Sequence, residues 1–256
     1  MAVDEAILEA MGNGDVFPTL RLYDWKPACI SLGYAQPYSD VDAKKLNNHG
    51  WDIVRRITGG RAILHTNELT YSVIGLQDEP ILVGGVLESY RRLSQALLGA
   101  LLKLGLPAKA LPQPQVSGAN NRTKEPVCFE VPSNYEITVR GKKLIGSAQA
   151  RKKGGVLQHG TLPLSGDLTG ITLALSFPNE LLRKAAADRL LSRATNIESE
   201  LNQVISWEVA AEALILAFSE TLNLHFEFAD LTPTELARAD ELVKEKYAHP
   251  SWTERI

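Results

Sequence analysis

The spacing of hydrophobic and polar positions predicts short strands along most of the first two thirds of the chain. Runs in which apolar and polar residues alternate, or in which β-branched residues are frequent, are bounded by turn residues. Such turn residues lie at 25–27 and in the glycine-containing stretch 58–61. This pattern is typical of strands joined by tight turns, and the runs on either side of 140–142 predict a hairpin. The predicted strands cover 20–23, 28–33, 53–56, 62–65, 69–74, 135–139, 143–150, 156–164 and 225–228.

A different period, of three and four residues, predicts a long helix over 87–104. Tyr90, Leu93 and Leu97 begin its apolar face, and Gly105 is placed where a helix ends in the left-handed conformation. Further helices are predicted over 1–11, 39–48 with Ser39 as N-cap, 179–192, 207–221 and from 232 onward.

The order of these elements predicts an α+β fold with a mixed, mainly antiparallel sheet packed against helices. Strands dominate up to Pro178, and the composition then shifts toward Ala and Leu. We therefore expect a sheet-containing domain over 1–178 and a small helical C-terminal part over 179–256, packed on the same domain.

Charge and composition argue against several classes of protein. The formal net charge is -3 and the pI is about 6.0, which disfavours a nucleic-acid-binding surface. The longest uncharged run has 13 residues, whereas a membrane-spanning helix needs about 18 or more. The first residues lack a basic and apolar leader, and the two cysteines, Cys29 and Cys128, fit no disulfide framework. A cytoplasmic protein is the expectation.

The first candidate for chemistry is the loop 55–61, which contains two glycines and three arginines. Glycines let a backbone approach a ligand and direct N–H groups toward it, while guanidinium groups bind carboxylates, phosphates or polarised carbonyls. The loop has neither the Walker ending nor a dinucleotide motif. The alternative is a glycine turn with solvated arginines, and the residues alone do not decide between the two.

The second candidate is the basic run 140–153, which has six Lys or Arg side chains and no acidic one. Lys142 and Lys143 lie on opposite faces of a strand, so one of them must face the interior. Desolvation beside other cations favours a neutral amine that can transfer protons. The alternative is a solvated hairpin whose tip docks an acidic partner protein.

The third candidate is Cys128, which follows a loop, 112–126, that contains three prolines. Long loops inside compact domains are usually functional, and a thiol upstream of a cationic strand can be an activated nucleophile. An isolated buried cysteine is nevertheless most often an inert small hydrophobe, and we assign Cys29 to the core. His65 and His159 end or interrupt strands and are candidates for lining a site. No metal-binding motif is present, so no metal is expected.

Taken in order, these segments resemble the lipoate-protein ligase and octanoyltransferase family, whose cofactor transferase fold is shared with biotin-protein ligases. The combination of these segments is specific to the family, although a single glycine pair is not, and the resemblance spans most of the chain. It rests on 55–65, 68–73, 141–149 and 158–160, and on 128–136, which is similar to the cysteine-bearing motif of octanoyltransferases. The family begins with a strand before its first helix, so the resemblance implies either a late start of the sequence or a missing strand, and a missing strand would leave a sheet edge exposed.

The resemblance implies roles for these residues. Cys128 would be the nucleophile and Lys143 the site lysine, and the glycine loop would hold the carbonyl region of the acyl chain. Backbone N–H groups near Gly146 and Ser147 would be candidates for an oxyanion site. The substrate-binding residues implied are Arg56, Thr58, Gly59, Gly60, Arg61, His65, Gly146, Ser147, Ala148, Gln149, His159 and Gly160.

The resemblance also implies an activity, in which octanoyl passes from acyl carrier protein through a Cys128 thioester to a lysine of a lipoyl domain or of the glycine-cleavage H protein. Such a transferase needs no cofactor, since the thioester is already activated. One alternative is a lipoate-protein ligase that uses ATP and Mg²⁺, with Cys128 incidental. Another is a non-catalytic protein that binds acyl groups or carrier domains. A monomer is expected.

Overall fold

The computed structural model describes residues 1–12, 16–112, 135–152 and 154–256. In the described residues no helix combines the length and the apolar character needed to cross a membrane. The strands are β1 Thr19–Tyr23, β2 Cys29–Leu32, β3 Asp52–Arg55, β4 Ile63–His65, β5 Glu68–Leu76, β6 Lys109–Pro112, β7 Tyr135–Val139, β8 Lys142–Lys152 and β9 Gly155–Pro163. The α-helices are α1 Ala2–Gly12, α2 Ala43–Asn48, α3 Val86–Lys103, α4 Glu180–Arg193, α5 Ile197–Leu201, α6 Trp207–Leu222, α7 Pro233–Leu242 and α8 Pro250–Thr253.

Two sheets form the framework. The larger has the order β1-β5-β9-β8-β7-β6, and all its neighbouring strands are antiparallel. The smaller has the order β3-β2-β4, in which β2 is parallel to β3 and antiparallel to β4. This arrangement confirms the predicted α+β class with a mixed, mainly antiparallel sheet.

The main core lies between the large sheet and the helices α3 and α6. The apolar face of α3 that the sequence predicts is buried, with Leu93, Leu97 and Leu101 at 1% exposure or less. Phe218 of α6 packs near Tyr71 of β5, with ring centroids 6.4 Å apart. Each buried side chain of this size contributes about 1.5–3 kcal/mol by leaving water.

The C-terminal segment is anchored to the small sheet through a buried arginine. Arg55, at the end of β3, is fully buried and donates to the carbonyl oxygens of Trp252 and Thr253. The same guanidinium donates to the carbonyl oxygens of Gly33 and Gln36. One side chain therefore joins the last helix, α8, to the loop that follows β2.

Several local predictions were wrong. Residues 225–228 form no strand, because no strand in the described part of the chain pairs with the segment between α6 and α7. Asp42, rather than Ser39, caps α2, since its side chain accepts from the backbone N–H groups of Lys44 and Lys45. The short elements β6 and α5 were not predicted.

Candidate active site

A pocket of about 710 Å³ opens between the glycine loop, β8, β9 and the N-terminal end of α3. The predicted binding residues, apart from Thr58, line it together with Lys143. They are Arg56, Gly59, Gly60, Arg61, His65, Gly146, Ser147, Ala148, Gln149, His159 and Gly160. Segments that are distant in sequence thus meet around one cavity.

Arg56 forms the support of the glycine loop. Its buried guanidinium donates to the carbonyl oxygens of Gly59 at 2.9 Å and Arg61 at 2.7 Å, and to that of Ser31 on β2 at 2.8 Å. These bonds turn the loop carbonyls toward the guanidinium and fix the backbone next to the pocket. Gly60 adopts φ +96°, which a side chain would disfavour.

Gly33 lies against this loop, and we expect Gly33→Ala to displace it. A Cβ on Gly33 would overlap the carbonyl oxygen of Gly60, so the loop must move or the backbone must strain. We expect the free energy of unfolding to fall by about 1–3 kcal/mol in urea denaturation. Gly170→Ala is the control, because its Cβ would make only an ordinary contact, 3.5 Å from Leu64. Equal stability of the two variants would contradict this packing argument.

His65 is held on both of its ring nitrogens. Nδ1 lies 2.6 Å from the Oε1 atom of Glu68, and Nε2 lies 2.7 Å from the hydroxyl of Ser31. The indole of Trp25 stacks on the imidazole at 4.3 Å between centroids. The ring is thereby fixed in orientation at the pocket wall, with a carboxylate partner that defines its tautomer.

His159 on β9 joins the pocket to a buried acidic residue. Its Nε2 lies 2.7 Å from the hydroxyl of Thr58, and its Nδ1 lies 4.0 Å from a carboxylate oxygen of Asp4 on α1. Burial lowers the pKa of His159, although Asp4 opposes that shift. Thr58 thus lies behind the pocket wall, where it braces His159.

Lys143 is the buried member of the two hairpin lysines. Its side chain is 3% exposed, and its Nζ lies 3.0 Å from the Oε1 atom of Glu136 on β7. A register shift between β7 and β8 falls here, since Lys143 pairs with Thr138 but Ile145 pairs with Ile137. We expected cations next to this amine, but a carboxylate is its neighbour because the antiparallel partner strand supplies Glu136.

A chain of hydrogen bonds runs beneath β8. The hydroxyl of Tyr71 lies 2.7 Å from that of Ser147 and accepts from the Nε2 atom of Gln158 at 3.2 Å. The Oε1 atom of Gln158 in turn accepts from the amide of Gln149 at 3.0 Å. Gly160 packs so closely here that a Cβ would meet Tyr71 and the carbonyl oxygen of Gly146. This network orients Ser147 and Gln149, and the sequence did not reveal it.

The apolar part of the pocket was also missed. Val86, Leu87 and Tyr90 project from the first turns of α3, and Trp25 and Ile63 also belong to the apolar lining. Val86 is 50% exposed and Leu87 is 40% exposed, which is unusual for large apolar side chains that line a cavity. A pocket lined by both polar groups and apolar side chains suits a molecule with a reactive head and a hydrocarbon tail.

The predicted nucleophile, Cys128, lies outside the described residues. Cys29, predicted to be in the core, is 5% exposed on β2, and burial raises the pKa of its thiol to about 12. Within the described residues, no group of three His, Cys, Asp or Glu side chains is placed to hold a metal ion.

Comparison with known proteins places this site in a family. The sequence model of the family named lipoyl protein ligase A/B catalytic domain matches residues 1–219. The chain belongs to that family. The resemblance seen in the sequence is therefore confirmed, and all the residues that line the pocket lie within the matched part.

Individual family members are similar over their full length. A protein from Brevibacillus brevis named octanoyltransferase LipM is 40% identical over 258 residues, covering 100% of this chain and 94% of its own. A protein of the same name from Moorella thermoacetica is 40% identical, and the similarity covers 100% of this chain and 93% of that protein.

Solved structures of the family have the same fold. A bipartite lipoate protein ligase from Thermoplasma acidophilum superposes with a TM-score of 0.81 and 28% identity, covering 99% of this chain and 89% of its own. A lipoate-protein ligase A bound with ATP gives a TM-score of 0.78 and 28% identity, and the superposition covers 99% of this chain and 92% of that structure.

Proposed function

We propose that this protein is an octanoyltransferase of lipoate assembly, which moves an octanoyl group from acyl carrier protein to a lysine of a lipoyl domain. The observation that carries the proposal is the 40% identity, over the whole chain, to proteins named octanoyltransferase LipM. The pocket supports it, since its lining contains both the polar groups and the apolar side chains that an acyl thioester requires.

The first step is a thioester exchange. The thiolate of Cys128 attacks the carbonyl carbon of octanoyl-acyl carrier protein, so that a new C–S bond forms and the bond to the carrier's sulfur breaks. The carrier leaves as a thiol after it takes a proton from the ammonium of Lys143, whose amine is then neutral. One thioester replaces another, and the step therefore has little net free-energy change and needs no ATP.

The second step moves the acyl group to nitrogen. The neutral ε-amine of the acceptor lysine attacks the acyl-enzyme carbonyl, the C–N bond forms, the bond to Cys128 breaks, and the amine nitrogen loses a proton to Lys143 or to the departing thiolate. Conversion of a thioester to an amide makes this step downhill. Lys143 is thereby assigned to proton transfer and to stabilising the thiolate.

The remaining pocket residues have binding roles in this proposal. Arg56 and His65 fix the glycine loop and the pocket wall by the hydrogen bonds described above. The backbone N–H groups near Gly146 and Ser147 are the proposed donors to the developing oxyanion. The helical part over 179–256 is proposed to complete the same domain, and the protein is proposed to act as a cytoplasmic monomer without nucleic-acid or membrane partners.

The second candidate function is an ATP-dependent lipoate-protein ligase. It is favoured by the structural similarity to a lipoate-protein ligase A that was solved with ATP. A ligase would first join free lipoate to the AMP part of ATP, with release of pyrophosphate and with Mg²⁺ on the phosphates, and Cys128 would have no chemical role. The two functions therefore differ in donor and in nucleotide requirement.

An assay with purified protein separates these functions. The protein is incubated with an apo lipoyl domain, or with apo H protein, and either octanoyl-acyl carrier protein or free lipoate with Mg-ATP, and the acceptor is then weighed by intact mass spectrometry. We expect octanoylation from the carrier without nucleotide. Modification only with free lipoate and Mg-ATP would instead establish the ligase, and no modification in either mixture would leave an acyl-binding protein.

A further inference from the structure

Two arginines hold a run of five consecutive carbonyl groups just before α3. Arg92 donates to the carbonyl oxygens of Ile81, at 3.1 Å, and of Val83. Arg151, on β8, donates to the carbonyl oxygens of Leu82 at 3.0 Å, Gly84 at 2.7 Å and Gly85 at 3.3 Å. The segment 81–85 belongs to no strand. The guanidinium groups therefore donate the hydrogen bonds that the backbone N–H groups of a paired strand would otherwise supply to these carbonyl oxygens.

The end of this segment is also the start of α3. The backbone N–H of Gly85 donates to the carboxylate of Glu88 at 2.6 Å, which caps the helix. Gly84 has φ +87°, and a Cβ there would overlap that carboxylate. The position of the first helical turn, which carries Val86 and Leu87 into the pocket, is therefore fixed by Arg151, Glu88 and the glycine pair.

Arg151 connects this turn to the far end of β8. Its Nε donates to the side-chain oxygen of Gln149 at 3.0 Å, and the Gln149 amide donates to the hydroxyl of Ser89 on α3 at 3.0 Å. Along β8 the pocket residues run from Lys143 at one end to Gln149 at the other. The apolar turn of α3 thus lies at the end of the pocket away from the site lysine.

We propose that Val86 and Leu87 form the wall that meets the tail of the acyl chain and sets its length, with Arg151 as the positioning residue of that wall. This inference rests on the proposed function, since the acyl carbonyl must lie toward Lys143 for the tail to reach α3. The hydrogen bonds hold this helical turn in place, so every tail that reaches it meets the same two side chains.

The test compares the transfer of octanoyl with that of decanoyl from acyl carrier protein. Removing side-chain volume in Leu87→Ala or Val86→Ala should raise the ratio of decanoyl to octanoyl kcat/KM about 10-fold, the effect typical of a methylene in an apolar pocket. Val83→Ala is the matched control, since Val83 is 46% exposed in the same segment but lies outside the pocket lining. Its ratio should equal that of the wild type. Unchanged ratios in both pocket variants would overturn the proposed wall.

Arg151→Lys tests the positioning role. Lysine keeps the charge but lacks the planar fork that reaches several carbonyl groups, so the decanoyl to octanoyl ratio should rise while the protein stays folded by circular dichroism. An equal loss of kcat/KM for both chain lengths would show a merely structural role.

Calorimetric binding of octanoate and decanoate gives the same comparison without turnover. If the wild type bound octanoate more tightly than decanoate but transferred neither acyl group, the proposed octanoyltransferase activity would be refuted, and the proposed role of the wall would stand.

Discussion

Replacement of Cys128 by alanine is expected to abolish the acyl-enzyme and to lower octanoyl transfer at least about 1,000-fold, as loss of a covalent nucleophile does in other enzymes. Wild-type protein mixed with octanoyl-acyl carrier protein should gain one octanoyl group in intact mass, and hydroxylamine should remove it. Cys128→Ala should gain none, because no other thiol is available at the site.

Cys29→Ala is the matched control for this experiment. Cys29 is buried on β2, and its pKa of about 12 keeps it a thiol at neutral pH, which makes it a poor nucleophile. This variant should form the acyl-enzyme as the wild type does. Transfer at the wild-type rate by Cys128→Ala would refute the covalent mechanism and shift the balance toward the ligase.

The second large effect is expected for Lys143→Ala, which should lower the rate of acyl-enzyme formation about 10²–10⁴-fold, the range typical of general acid–base groups. The measurement is rapid-quench mass spectrometry of the acyl-enzyme. Lys142→Ala is the control, since the neighbouring amine is less buried and donates to the carbonyl oxygen of Leu191 instead of facing the pocket.

The ion pair between Lys143 and Glu136 requires a second variant. Removing the ammonium group takes a positive charge from a buried carboxylate and can cost about 3–5 kcal/mol of stability. Lys143→Ala combined with Glu136→Gln removes both charges and should recover part of that stability. If the double variant also recovered acylation, Lys143 would have only a structural role.

Local sequence patterns predicted much of the framework. The spacing that begins with Tyr90 gave α3 to within one residue at each end, and Gly105 has the left-handed φ of +83° that its place after the helix requires. The glycine loop and the strands β5, β8 and β9 were found in the same way. These features depend on residues two to four positions apart, or on single turns, so they are visible without tertiary structure.

The supports of the site depend on contacts between distant segments and were not predictable by spacing. Asp4 lies near His159, Glu136 pairs with Lys143, and Tyr71 bonds to Ser147, yet none of these partners is adjacent in sequence. One signal was available. Glu68 and Thr70 alternate with apolar residues in a strand buried on both faces, and polar side chains in such a strand must find partners.

Arg55 makes the backbone of residues 252–253 part of the framework that surrounds the glycine loop. Its guanidinium is shared between those residues and the loop that holds Gly33 against Gly60. Proteolytic removal of residues 252–253 would leave this buried guanidinium with fewer carbonyl acceptors, which costs free energy away from water. A cut just before α8 would therefore loosen the backbone beside the pocket, although α8 does not line it.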